Sequence, residues 1–398
     1  MRAVASLGCL LALLLCAACD RSKADAPSAV GAVETTAATV EVDAGFVSAA
    51  AELAAGAVDA GSARPLAPPA IAGQTVDVPA GTFPCGSTPG DEGREPAIEP
   101  ALAPVTLGAF AIDVLPYPND PTALPVLVES AEEAERLCAE RGARLCTELE
   151  WERACKGPGL DPFATGAKWN EACDRTPSRC ASGYGARGMG FLHEWTSPVG
   201  EDARVWVRGG PSHRCAARSR ASAKDMPSRM AFRCCHGERN EVAVPAIPRK
   251  PPFRTMPLET ADVARIFAEV PELSRIKEGV RLFSEDDANN VLIRSGSKPP
   301  VLTLTTSPVM WSPEPGVEVL VLTGRAQRSS FVVALYPLAE DTYRFASAFV
   351  VLGETRPIAL AYDASRRREL RWSACWGCAG EQGEVKLRDD GRVVIVQY

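Results

Sequence analysis

Histidine is scarce in this 398-residue chain, which holds only His193, His213 and His236. A closed zinc site needs four ligands and a catalytic one usually takes three from the protein, so a histidine-built metal centre has almost no material here. His213 and Cys215, two positions apart, make only a fragment of such a site. Positive charge is not in excess either: 43 Lys and Arg stand against 50 Asp and Glu, a formal net charge of −7. An acidic chain has no general attraction for nucleic acid, and none is expected as a partner. The run Arg366-Arg367-Arg368 is short and has the form of a solvated turn. Long apolar runs are lacking as well, since Leu7 to Leu15 is too short to span a bilayer as a stable helix.

What the chain does have at its start is an export leader. Met1-Arg2 is a small positive head, Leu7 to Leu15 the apolar centre, and Ala17-Ala18-Cys19 the small residues before a cysteine. This resembles a bacterial lipobox, with Cys16 where leucine is usual. It predicts a signal peptide over 1–18, lipidation of Cys19 and a protein lipid-anchored to the cell envelope, periplasmic or on the outer surface. Several acyl chains on one cysteine give lasting anchorage where a single chain gives only marginal binding. The alternative is an ordinary cleavable signal with Cys19 incidental.

Residues 19–75 are rich in Ala, Val, Gly, Asp and Pro, with Phe46 their one aromatic before the first domain, and read as a disordered tether. Ser48 to Ala55 has the composition of a transient helix. A first globular domain is expected over 76–236. Pro245, Pro248, Pro251, Pro252 and Pro257 mark a linker over 237–258, and a second domain fills 259–398. Fourteen cysteines suit an oxidising compartment. Cys9, Cys16 and Cys19 belong to the leader and anchor; the remainder is odd in number, so at least one thiol has no partner within the chain.

Two helices can be placed by their caps. Ser130 with Glu133 has the spacing of a capping box, and Gly142 suits the left-handed residue after a helix end. Thr147 with Glu150 repeats the device, followed by the stripe Trp151, Ala154 and Cys155. Cys138 and Cys155 therefore face the core.

The segment Arg144-Leu145-Cys146-Thr147-Glu148-Leu149-Glu150-Trp151-Glu152-Arg153-Ala154-Cys155 belongs to a longer ordered series. Val78-Pro79-Ala80-Gly81-Thr82-Phe83 and Phe110-Ala111-Ile112-Asp113 precede it. Glu194-Trp195-Thr196, Arg208-Gly209-Gly210, Cys215-Ala216-Ala217-Arg218 and Phe232-Arg233-Cys234 follow. Over about 76–236 this series resembles the sulfatase-modifying-factor domain, the fold of formylglycine-generating enzymes. The resemblance implies an α+β, C-type-lectin-like domain with little regular secondary structure. It also implies disulfides Cys138–Cys234 and Cys155–Cys215. Proximity and parity add Cys146–Cys235 and Cys173–Cys180, leaving Cys85 over. Buried free thiols throughout are the bland alternative.

The family's chemistry has no counterpart in this chain. Formylglycine-generating enzymes bind copper(I) between two cysteines five positions apart in the segment after Arg-Gly-Gly, soft thiolates suiting a soft ion. Here only Pro211-Ser212-His213-Arg214 separates Gly210 from Cys215, and the position five after Cys215 is Arg220. Calcium is the one cofactor for which ligands remain, and the set is incomplete. The family's Gly-Asn-Val before Glu-Trp is Gly190-Phe191-Leu192-His193 here, leaving Glu194 for one site and Asn170 for another. Calcium needs six to eight oxygens.

In 259–398, Thr260 can cap a helix carrying Val263, Ile266, Phe267 and Val270. Beyond Asn290 come strand-like runs: Val317–Leu322, Phe331–Tyr336, Tyr343–Val351, Ile358–Tyr362, and Val385–Arg388 joined to Arg392–Gln397 across Asp390-Gly391. A mainly antiparallel β domain with one N-terminal helix is predicted, of no family we recognise. Cys375-Trp376-Gly377-Cys378 has no βαβ context and reads as a local disulfide clip rather than a redox centre. The function expected is ligand or protein binding at the envelope on a catalytically silent scaffold, the ligand being an envelope protein, peptide or glycan. Arg208, His213 and Arg218 around the shortened loop are the candidate surface, unless the two arginines pair with core carboxylates. The competing reading is an oxidoreductase using a different thiol or metal site.

Overall fold

The computed structural model describes residues 63–199, 205–296, 303–338, 341–353 and 355–398. The leader, the lipidation position Cys19 and the segment Ser48 to Ala55 lie outside the described residues. Among the described residues no helix is long and apolar enough to cross a membrane.

Short strands dominate the first half. Thr75–Val78, Phe110–Asp113, Cys234–His236 and Arg144–Leu145 form one antiparallel sheet in that order. Gly81–Cys85 and Ala103–Leu107 form a separate ribbon. A second four-stranded sheet runs Arg218–Arg220, Trp206–Gly209, His193–Trp195, Ala231–Phe232, its last pairing parallel. Helices α1 (Ala131–Ala139) and α2 (Glu148–Lys156) follow the predicted caps. Ser130 Oγ accepts from the Glu133 amide, but Glu133 reaches back to the amide of Glu129 rather than to the cap residue. At Thr147 both arms of the capping box are present.

Four disulfides tie these short elements together. Cys138–Cys234, Cys146–Cys235 and Cys155–Cys215 span 96, 89 and 60 residues, and Cys173–Cys180 closes a local loop. Adjacent cysteines Cys234 and Cys235 project to opposite faces of their strand, as successive residues must, so one strand is tied to α1 on one side and to the start of α2 on the other. The chain on either side of this part is not loose. In the stretch read as tether, Arg64 pairs with Asp161 and donates to Ala164 O, and Ala70 is buried. In the stretch read as linker, Asn240 is buried and Phe253–Thr255 joins a sheet as a strand against Val309–Trp311.

The second half is built differently. Phe253–Thr255, Val309–Trp311, Val319–Ala326, Ser329–Pro337 and Tyr343–Val351 form an antiparallel sheet, with Arg281–Leu282 added on Val319–Ala326. Thr303–Thr305, Ala359–Tyr362, Leu370–Ser373, Gln382–Leu387 and Val393–Gln397 form another. Their inner faces share one core, where Trp311, Val319, Val321, Val332 and Ala334 meet Leu360, Leu370, Trp372, Val385 and Val393. Alternation sends Leu320, Leu322, Phe331, Val333 and Leu335 to the opposite face, against Val263, Ile266 and Phe267 of α3 (Thr260–Glu269). That is why these strands read as unbroken apolar runs: the first sheet is covered on both faces. A fourth helix, α4 (Glu285–Ser295), packs Ala288 and Val291 on Ala359 and Ala361.

Two expectations need correction here. The cap of α3 is Glu259, boxed with Asp262, not Thr260, which is already helical. Among the described residues the half also holds two α-helices rather than one. Asn290, beyond which strand-like runs are expected, lies inside α4, which continues to Ser295 and whose box is Ser284 with Asp287. The loop 86–100 of the first half reaches the second. Asp91 pairs with Arg344 at 2.7 Å, Glu92 with Arg392, and Arg94 donates to Gly316 O at 3.1 Å.

Candidate functional site

All nine residues of α2 are buried, five of them charged. Burying a charge is costly unless it is paired and hydrogen-bonded, and each charge here has partners. Glu148 faces Arg208 at 3.0 Å and takes a two-pronged contact from Arg218 at 2.8 and 2.7 Å. Glu150 takes the Arg144 fork at 2.8 and 2.7 Å and the Asn240 amide at 2.8 Å. Glu152 meets Lys156 at 2.8 Å, Arg208 at 2.9 Å and the Gly86 amide at 2.6 Å. Arg153 donates to Gly81 O, and Lys156 to the carbonyls of Pro84 and Gly86.

The motifs that stood apart in the sequence meet around this helix. Burial opposes ionisation of Glu152, but Lys156 and Arg208 hold its carboxyl below the ordinary value. For Arg208 burial works against the charge, and Glu148 and Glu152 win, raising its pKa. Arg218 shares a single carboxylate and faces Arg208, so burial prevails and its pKa is lowered. Arg218 also lies 3.7 Å over the Trp206 ring, a stacked cation–π contact.

Arg208 and Arg218 are therefore not a binding surface. Arg208 is wholly buried and Arg218 nearly so, and both belong to the ion network of α2. Their partners Glu148 and Glu152 stand four apart in the sequence motif, one helical turn, a spacing that could have announced the pairing. The two glycines after Arg208 are needed for close approach. Gly209 and Gly210 have φ of 76° and 104°. A Cβ at Gly209 would lie 2.3 Å from Leu192 O, and one at Gly210 would lie 2.2 Å from the His193 ring.

Thiol chemistry has little to work with at this place. Cys215 is bonded to Cys155, and Cys85 is the one free cysteine among the described residues. Cys85 is fully buried with its sulfur 3.5 Å from Glu152 Oε2. Burial, and then the Glu152 charge, push its pKa far up, so the thiol stays protonated. A copper dithiolate does not fit this donor set.

The calcium candidates do not fit either. Both oxygens of Glu194 accept from Arg233, at 2.8 to 3.2 Å, and one also takes Trp151 Nε1 at 2.9 Å. Arg233 goes on to the carbonyls of Val114 and Arg187, which makes Glu194 the anchor of a second buried network. Asn170 caps the 3₁₀ turn Glu171–Asp174 through its Oδ1 and donates its Nδ2 to Arg64 O. Among the described residues no group of three His, Cys, Asp or Glu side chains is placed to hold a metal ion.

Of the three surface candidates, His213 alone stays half-exposed at its loop. Its φ is 56°, a left-handed conformation uncommon for a residue with a side chain. The imidazole stacks on Trp169 at 4.0 Å between centroids and 2° between planes, with Nδ1 3.0 Å from Gly190 O. Trp169 Nε1 donates to Asp174 at 3.1 Å, and Asp174 Oδ1 lies 3.9 Å from His213 Nε2. Trp169 and Asp174 are the residues that sequence reasoning missed. The signal for Asp174 was its neighbour Cys173, whose bond to Cys180 fixes that turn.

His193 lies beneath the same loop, its Nδ1 buried without a hydrogen-bond partner among the described residues, and burial lowers its pKa. No family profile matches the chain. No curated protein is detectably similar to it.

Proposed function

We propose that this chain is an exported, lipid-anchored binding protein of the bacterial cell envelope, built on a catalytically silent domain of the formylglycine-generating-enzyme type. The observation that carries the reading is the replacement of a reactive thiol pair by structure. Cys215, next to the shortened loop, is held in a disulfide, and the arginines flanking that loop are consumed by the buried carboxylates of α2. Such a frame keeps its shape whatever its loops do, which suits binding. The group of half-exposed Trp169 and His213 with exposed Asp174 is the contact surface we assign. An aromatic stack edged by a carboxylate and an imidazole matches a peptide or glycan carrying hydroxyl or amide groups.

Two measurements test this. Mature protein loaded with copper(I) and given a cysteine-containing peptide should form no aldehyde; aldehyde formation sinks the silent-domain reading. Binding of labelled protein to isolated envelope glycan and peptide fractions should fall at least about tenfold in Trp169→Ala and His213→Ala, the size expected when a central aromatic anchor is removed. Unchanged binding by both variants removes the assigned surface.

A further inference from the structure

Of the cysteines described, Cys378 alone is not buried. It is bonded to Cys375, which is buried, in a loop between Leu370–Ser373 and Gln382–Leu387. The residues around it are open: Gly377, Ala379 and Gly380 are exposed, and a Cβ added at Gly377 would meet nothing within 4 Å. The four other disulfides have both residues buried. Access is one of the conditions that set the rate of thiol–disulfide exchange, and here it singles out one pair.

Between the two cysteines sits Trp376, 4% exposed, packed against Ala288 and Val291 of α4 and against Ala359 and Ala361. Its amide donates to Ser295 Oγ at 2.8 Å, and Glu381 at the end of the loop pairs with Arg294 at 2.9 Å. The loop is thus the clamp on the C-terminal end of α4. Among the described residues the buried Trp376 indole Nε1 has no hydrogen-bond partner. A buried donor left without a partner costs free energy that water would offset once the indole is exposed.

We propose that Cys375–Cys378 is a thiol-exchange site for an external dithiol, such as a reducing protein with a paired-cysteine centre, and that its reduction releases Trp376 from α4. A thiolate of the dithiol attacks Cys378 Sγ and forms a mixed disulfide. The Cys375 sulfur leaves with the bonding pair and takes a proton. The second thiol of the dithiol then gives up its proton and bonds to the first, freeing the Cys378 sulfur, which takes a proton in turn. Two electrons pass from the dithiol, which becomes a disulfide, to the protein pair, which becomes two thiols. With the short ring open, the loop no longer holds the indole in place.

The test is a time course on the oxidised protein with dithiothreitol under native conditions. Samples are alkylated and mapped by peptide mass spectrometry, with hydrogen exchange followed over 285–295. Cys375 and Cys378 should be alkylated first, at a rate at least about tenfold above any other pair. Exchange in 285–295 should rise with the same time course. Cys375→Ser/Cys378→Ser should show the raised exchange without reductant; if that variant does not fold, the wild-type time course decides alone. Simultaneous alkylation of all five pairs, or another pair reacting first, overturns the site. Early reduction with unchanged exchange in 285–295 overturns the clamp.

Discussion

The two halves of the molecule solve the same problem by opposite means. Residues 75–236 have strands of two to five residues, a central helix with five buried charges, and disulfides closing spans as long as 96 residues. Residues 253–398 have strands of up to nine residues, two sheets that share an apolar core, and one disulfide across three positions. The second half offsets chain entropy with apolar area and backbone ladders, and its one cross-link closes only a local loop beside α4. The first half has too little regular structure for that, so covalent closure and paired charge do the holding. The difference bears on function: a frame set by cross-links beneath its surface leaves its loops free to vary, and the proposed contact group sits on such loops.

Exhaustive reduction should separate the halves most widely. Each of the three long closures stabilises by roughly 4–5 kcal/mol on the chain-entropy account. With all disulfides opened, residues 75–236 should lose amide protection while 319–351 keep theirs. Hydrogen exchange resolved by segment measures this, and joint loss in both segments would break the comparison. Next in size is Glu152→Ala, which leaves Arg208 and Lys156 buried without that carboxylate. Breaking a buried pair costs about 3–5 kcal/mol, and the loss should appear as faster exchange in the first half only. The counterpart in the second half is Leu322→Ala, which cuts a cavity between the first sheet and α3. Denaturation should show about 2–5 kcal/mol less stability, with the disulfides untouched.

How far each half was legible from sequence follows from the same contrast. In the second half, short apolar runs between turn signals wrote the strands out, and Tyr343–Val351 has the bounds its run gave. What stayed hidden was α4, because its Asn289-Asn290 centre is weak helix-forming sequence and its cap is Ser284 with an aspartate instead of the usual Glu or Gln. In the first half the cysteine pairs and helix starts were visible, but the fate of the charges was not. An arginine beside a loop looks the same in sequence whether it faces water or a carboxylate in the core. Arg208, Arg218 and Glu194 face the core, and for the two arginines the sequence leaves that choice open. The Trp169–His213 stack joins residues 44 positions apart, and no local pattern announces it.

The smallest expected effect uses pH to separate the halves, since all three histidines lie in the first. Burial lowers the pKa of His193 from its ordinary value of 6.5, so the folded protein prefers the neutral ring more than the unfolded chain does. The unfolded state then binds more protons between the two values, and stability rises with pH across that window. The contribution is fully present above about pH 6.5 and is lost as pH falls toward the folded value. His193→Gln should flatten this part of the profile between pH 7.5 and 5.5, measured as the denaturation midpoint of the first half at each pH. The carboxylates act lower down. Glu150 and Glu152 are held below the ordinary 4.5 by their cationic partners, so their contribution persists above that value and falls away only in stronger acid. A variant profile that still slopes like the wild type between 7.5 and 5.5 would mean that the ring beneath Gly210 is not the titrating group, and that the loop over it is less closely packed than the contact with Gly210 requires.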